Sequence, residues 1–408
     1  MIKINRARLL GLLHDFAQFG KTENNGVTRL ALSDEDKLAR DYFIKLATQA
    51  GFSVKVDAIG NIFVRREGKQ AQLAPILIGS HGDSQPLGGR YDGIYGVLAG
   101  LEVLLSLNQH RIETERPVDL VMWTNEEGAR FAPAMMGAAV FTGKLSLDEA
   151  FKKQDKQGIS VKSELERIGY LGNDDFSDYK PHAALELHIE QGPILERNHT
   201  DIGIVSGALG QNWYRIQLDG LASHAGTTPM NLRRDAGIGM AEAMVRFNEL
   251  GLREIGSQGR VTVGSIQLTP NSPNVIPGRS NFSLEVRHPS RYSLEQIDRA
   301  IRQILADVAD KHQLAVQLNQ VVKLAPLTFN AELLETLRQT ADELGYRWED
   351  IVSGAGHDSC HLNDKMPTAM LFIPCIDGLS HNESENIKDE WCEKGCNMLF
   401  HAVLKLAQ

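Results

Sequence analysis

Leu9, Leu10, Leu13 and Phe16 recur at helical spacing near the start of the chain, separated by charged residues, which predicts an amphipathic helix. Residues 34–50 open on acids and place Leu38, Tyr42, Phe43 and Leu46 on one face; Gly51 ends this second helix. Alternation through Val54 and Val56, then Ile62 and Val64, around an Ile-Gly-Asn turn predicts a β-hairpin. The apolar run at 75–81 has the composition of a buried strand, 97–110 has the density of a buried helix, and Val118–Trp123 is a further strand. This alternation predicts a parallel or mixed sheet with covering helices. Residues 145–180 are polar and turn-rich, as short surface helices are, and a third apolar run at 183–187 leads into His188.

The texture changes near 207. An alternating strand at 213–218, a polar loop, a helix at 237–250, alternating strands at 261–268 and 280–287, a helix at 293–312 and a strand at 315–318 follow. That is the β-α-β-β-α-β order of a split βαβ unit, complete enough to form an α+β domain at 207–322 inserted into a discontinuous one, 1–206 with 323–408. Beyond it the first texture returns, with a helix at 331–344, the loop Ser-Gly-Ala-Gly-His-Asp-Ser, an apolar run at 369–373 and a closing helix at 388–406.

Length and charge narrow the function. A chain of 408 residues exceeds what one core usually supports, so two domains are expected. The formal net charge of -9 offers no basic footprint for nucleic acid, which leaves a small molecule or another protein as the expected partner. No stretch has the uninterrupted apolar length of a membrane span, and a cytoplasmic, non-membrane protein is expected. Cys360, Cys375, Cys392 and Cys396 form no paired Cys-x-x-Cys, so any metal here would use imidazole and carboxylate.

Those groups are present where they count. Four apolar runs end in potential ligands: His81 with Asp83, Glu126 with Glu127, His188 with Glu190, and His381 with Glu383. In an open α/β sheet, ligands bind beyond the carboxyl ends of the strands, so four such ends converge. Imidazole with carboxylate suits zinc, manganese or cobalt at a hydrolytic site. Asp92, flanked by glycine, is placed to bridge two ions, and Asp83 is placed to take the second ring N–H of His81. Adjacent residues point apart, so one of Glu126 and Glu127 can ligate while the other faces water as general base.

Seven segments, GSHGDSQPLGGRYDG, TNEEGARFAPAMMG, ELHIEQGPILE, SHAGTTPM, NVIPG, SGAGHDS and GLSHNESE, span 79–385 in order. Through them the chain resembles the zinc-dependent amidohydrolase branch of the M20 metallopeptidases, which holds N-carbamoyl-L-amino-acid hydrolases, β-ureidopropionases and allantoate amidohydrolases. The resemblance implies a zinc-peptidase-like catalytic domain with an inserted ferredoxin-like lid domain that forms a homodimer. It implies two divalent ions, zinc or else manganese or cobalt, one held by His81, Asp92 and His188 and the other by Asp92, Glu127 and His381. Glu126 would be the general base. Gln211, His224, Asn274 and Arg287 would bind substrate, with His224 assisting at the carbonyl and Arg287 holding a carboxylate. His357 and Asp358 either line the pocket or cap a helix and are left outside this set. Relatives usually carry an apolar residue where this chain has Gly82, which implies a less rigid first motif.

The reaction this implies is hydrolysis of the ureido C–N bond of an N-carbamoyl-L-amino acid or N-carbamoyl-β-alanine, with allantoate as the alternative substrate. A dipeptidase, or a non-catalytic binding protein on the same fold, stands behind these.

Overall fold

The foreseen apolar runs are strands that lie side by side. The computed structural model describes residues 2–253 and 258–408. It opens with α1 (Arg6–Phe16), α2 (Asp34–Gln49), and the antiparallel hairpin of β1 (Ser53–Val56) and β2 (Ile62–Arg66). Ser33 caps α2 by accepting the Asp36 N–H. Next come β3 (Ile76–His81), α3 (Ile94–Gln109) and β4 (Val118–Trp123). The polar stretch holds short helices, α4 (Met136–Phe141), α5 (Leu147–Lys152) and α6 (Val161–Ile168), before β5 (Ala183–Ile189), α7 (Ile194–Arg197) and β6 (Ile202–Ala208).

The inserted segment contains β7 (Gly210–Asp219), β8 (Ser223–His224), α8 (Ala236–Arg253), β9 (Arg260–Thr262), β10 (Ile266–Thr269) and β11 (Val275–Ile276). It continues through β12 (Arg279–His288), α9 (Arg291–His312), β13 (Ala315–Leu324) and β14 (Leu327–Thr328). The chain then closes with α10 (Ala331–Leu344), β15 (Trp348–Ser353), α11 (Asp358–Leu362), β16 (Thr368–Ile373) and α12 (Asp389–Leu406). It divides into two compact units, Met1–Ser206 with Phe329–Gln408, and Gly207–Thr328.

The main sheet has nine strands in the order β1-β2-β4-β3-β5-β16-β6-β14, with β15 also on β6. β4, β3, β5 and β16 are mutually parallel, so their carboxyl ends emerge along one edge. All residues of β3, β4, β5 and β16 are buried, which is why these strands read as continuous apolar runs rather than alternating ones. α3 is buried along nearly its whole length and packs on β3, β4 and β5.

The inserted unit is an antiparallel sheet in the order β10-β12-β7-β13, the ferredoxin-like arrangement. One face of β7 and β12 (Tyr214, Ile216, Leu218, Phe282, Leu284, Val286) packs on Met240, Ala243 and Phe247 of α8 and on Ile297, Ile301 and Val308 of α9.

The pattern reading differs from this in several places. The single strand expected at 261–268 is two, β9 and β10, each pairing with β12. β13 runs on to Leu324 through an irregularity between Gln320 and Val322, and the return to the first unit falls at Phe329 rather than 323. β6 and β15 were not foreseen: Gly203 and Gly207 dilute the apolar signal of the first, and the adjacent acids Glu349 and Asp350 that of the second.

A buried ion pair ties α2 to this sheet. Arg40 donates to Asp36 Oδ2 at 2.8 Å, to the Gly60 carbonyl at 2.7 Å and to Thr124 Oγ1 at 3.2 Å, just past β4, with both charged side chains 1% exposed. Removing one partner strands the other charge in the interior. Asp36→Ala is therefore expected to lower the unfolding free energy by about 3–5 kcal/mol, measured by urea denaturation.

Candidate metal centre

The shared edge of the parallel strands gathers the site. His81 ends β3 with its Nδ1 2.9 Å from the main-chain carbonyl of Asp83. That contact places the ring proton on Nδ1 and leaves the Nε2 lone pair free to ligate. The carboxylate of Asp83 lies farther away, 3.7 Å from Nδ1. It accepts instead the N–H groups of Glu126, at 3.2 Å, and Glu127, at 3.1 Å. The expectation for Asp83 is thus corrected: its carbonyl orients His81, while its side chain holds the acidic turn after β4.

Local backbone shape explains the crowding. Gly93 has φ +67°, and a Cβ there would fall 2.3 Å from the His81 ring, so only glycine fits. Asn125 and His381 adopt left-handed conformations (φ 55° and 53°), which Asn125 supports by donating its side-chain amide to the Phe131 carbonyl at 2.8 Å. Gly82, expected to loosen the first motif, is instead held: its carbonyl accepts the buried Arg29 Nε at 2.6 Å.

Asp92 sits at the centre. Its Oδ1 is 3.1 Å from His188 Nε2 and 3.7 Å from His81 Nε2, and its Oδ2 is 3.1 Å from His381 Nε2. Two potential ligand groups result, His81–Asp92–His188 and Asp92–Glu127–His381, each with ligand atoms within 4.8 Å of one another. Glu126 Oε2 lies 3.5 Å from His81 Nε2, and Glu127 Oε2 lies 3.5 Å from His381 Nε2. The adjacent glutamates therefore diverge, one toward each group.

Two of the potential ligands at the strand ends, both outside the expected set, are absent from these groups. Glu190 accepts the N–H groups of Ile194 and Leu195 and caps α7, and Glu383 accepts from Thr22 and Asn24. Two residues overlooked in the sequence, Gln85 and Gln191, join the site, and so does His357, for which the sequence left open lining the pocket or capping a helix. Gln191 donates to Asp92 Oδ2 at 2.9 Å, Gln85 binds Glu127 through its N–H and its side-chain amide, and His357 packs edge-on against His188, ring centroids 4.7 Å apart. Gln191 follows directly on the His-Ile-Glu motif, and Gln85 stands two residues beyond Asp83; position beside a motif was the available signal.

In the inserted unit, Gln211 and Arg287 are partners across β7 and β12, and Arg287 Nε donates to Glu285 at 2.5 Å. His224 faces Val275, next to Asn274, in the small β8–β11 ladder, where the Asn274 carbonyl accepts the Ala225 N–H. The Nδ1 of His224 accepts N–H groups from Gly226, at 3.0 Å, and Thr227, at 3.3 Å, so its proton resides on Nε2.

The electrostatics favour cations. Burial lowers His81 to about 4, which keeps it neutral. Burial also depresses His188, but its hydrogen bond to Asp92 outweighs this and raises it to about 9; the same carboxylate raises His381 to about 9. Burial and then the charge of Asp92 raise Glu127 to about 8, while burial, Asp358 and Glu127 push Glu126 well above the carboxylate range. Three imidazoles and two carboxylates without a thiolate, crowded together with all but His381 withdrawn from solvent and offset only by protons, fit divalent metal ions.

The match to Peptidase family M20/M25/M40 covers residues 77–405, and the chain belongs to this family of hydrolases. Within it, the similarity runs to amidohydrolases. The chain is 40% identical to an N-carbamoyl-L-amino-acid amidohydrolase of Rhizobium meliloti, over all of this chain and 97% of that one. It is 34% identical to an allantoate amidohydrolase of Bacillus subtilis, over 96% and 95% of the two chains. A solved structure of a hydantoinase/carbamoylase family amidase from Burkholderia multivorans superposes with a TM-score of 0.96 at 48% identity, covering 100% of this chain and 98% of that one.

Because His188 and His381 must shed protons to ligate, metal affinity should weaken as pH falls below 9. Titrating metal-free protein in weak buffer is expected to release more protons at about pH 6.5 than at about pH 9.5.

Proposed function

We propose that this protein hydrolyses the ureido C–N bond of N-carbamoyl-L-amino acids or N-carbamoyl-β-alanine, yielding the amino acid, carbon dioxide and ammonia. The observation that carries the reading is the pair of ligand groups sharing Asp92, with a buried carboxyl, Glu126, beside them in a chain similar along its length to carbamoyl amidohydrolases. His81, Asp92 and His188 would hold one ion, and Asp92, Glu127 and His381 the other; zinc is the leading candidate, with manganese or cobalt as alternatives. When bound, such ions supply Lewis acidity, which polarises a carbonyl and acidifies water.

The chain's own groups do the rest. Glu126 takes the proton of the water that attacks the ureido carbon and returns it to the departing amino nitrogen. The carbamate so formed falls apart to carbon dioxide and ammonia. With its proton on Nε2, His224 is a neutral donor suited to the carbonyl oxygen as negative charge develops there. Arg287 offers a planar fork for the substrate carboxylate, with Gln211 and Asn274 as polar contacts. A second substrate, allantoate, is kept because an allantoate amidohydrolase is among the relatives.

The reading includes a homodimer in the cytoplasm. Its support is a row of exposed apolar side chains at seven-residue spacing on α8 (Ile238, Val245 and Leu252), a helix that packs on β9 at the margin of its sheet. Among the described residues no helix is long and apolar enough to cross a membrane.

An ammonia-release assay with N-carbamoyl-L-amino acids, N-carbamoyl-β-alanine, allantoate and a dipeptide, each with zinc, manganese or cobalt, tests the substrate class. Turnover of the dipeptide alone would overturn it. Glu126→Gln is expected to cut kcat by at least about 10²–10⁴-fold while metal content, read by elemental analysis, stays at the parent level.

A further inference from the structure

α3 begins at the metal centre without a cap of its own. Gly93 precedes it, no side chain caps its first turn, and no acidic residue lies in that turn. The N–H groups just before it, on Tyr91 and Asp92, are met from the far end of the chain. Both donate to Glu385 Oε1, at 2.9 and 3.1 Å, across a sequence separation of more than 290 residues. The other oxygen of that carboxylate lies 2.8 Å from the Ser380 hydroxyl, which is also 3.2 Å from Asp92 Oδ2 and adjoins His381 in sequence.

We infer that Glu385 is a positioning residue that clamps the Asp92 loop to the His381 loop, fixing the Asp92 carboxylate between His188 and His381. Glu385 is buried and belongs to neither ligand group. Its carboxylate would repel Asp92 unless held by donors, and two backbone N–H groups and a hydroxyl provide them. They also fix its position, so that it acts on Asp92 through the main chain.

The loop is shaped to admit this carboxylate. A Cβ on Gly89 would fall 1.9 Å from the Glu385 Cδ and 2.0 Å from its Oε1. Glycine at 89 leaves the space the clamp occupies. The Tyr91 hydroxyl extends the same contact, donating to Asn386 Oδ1 at 3.2 Å.

The inference rests on the two-metal reading above, and metal binding by the parent protein separates the two. Failure of the parent to bind divalent metal would overturn the metal reading itself. Given binding, Glu385→Ala is expected to weaken it by about 10–100-fold in competition with a chromophoric chelator, the range seen when partners of ligands are removed. The visible spectrum of its cobalt form should change as well. Glu385→Gln keeps an oxygen that can accept both N–H groups and should recover most of the loss.

Gly89→Ala removes no donor or acceptor yet should reproduce the defect by displacing Glu385. The double variant should then be no worse than the poorer single one, because both changes break the same contact. Parent-like affinity and cobalt spectrum in Glu385→Ala, or additive losses in the double variant, would overturn the clamp. If Glu385→Ala does not fold, Ser380→Ala decides: weakened affinity with an altered cobalt spectrum supports the clamp, and parent values for both refute it.

Discussion

One carboxylate shared by two imidazoles sets the terms for the catalytic unit. Asp92 draws His188 to one oxygen and His381 to the other, and these hydrogen bonds hold it well below the usual carboxylate range despite burial. Its charge in turn raises Glu127 and contributes to the rise of Glu126. A buried pocket with this many acids is tolerable only when protons or cations match them. Strand order, tight loops and the clamp at the start of α3 all serve to keep this carboxylate between its partners.

The divergence of Glu126 and Glu127 follows a single backbone inversion. Asn125 turns left-handed after β4, and the two glutamate N–H groups that follow are gathered by one acceptor, Asp83. Asp83 thereby acts on the acidic turn with its side chain and on His81 with its carbonyl. Gln85, two residues on, holds Glu127 by both carboxylate oxygens. The strand end of β3 thus governs the geometry of the neighbouring strand end of β4.

Much of this was legible in the sequence because the parallel strands are buried on both faces and end in potential ligands: the runs before His81, Glu126 and His188 announce themselves twice over. The ferredoxin-like order was equally readable, since β7 and β12 alternate strictly against α8 and α9. Legibility failed where a contact is remote or made by the backbone. Nothing local distinguishes Glu383, which binds Thr22 and Asn24, from Glu385, which reaches the Asp92 loop. Nor could spacing reveal that Asp83 would orient His81 through its carbonyl. β6 escaped notice because its glycines break the apolar run, although it pairs with β16 in the main sheet.

The position of β16 in the sheet has a kinetic meaning. It lies between β5 and β6, both made before the insertion, yet it is itself made after it. The chain leaves the main sheet along β6 and rejoins it at β14, directly after which the Phe329 N–H donates to the Ser206 carbonyl at 3.0 Å. An unfolded insertion would be a long loop to close before that bond could form, whereas a folded one delivers its two ends together. His381, the last of the proposed ligands, follows β16 still later. During synthesis, then, β5 and β6 cannot be joined through β16 until most of the protein has been made, and the candidate metal centre is among the last things the chain can complete.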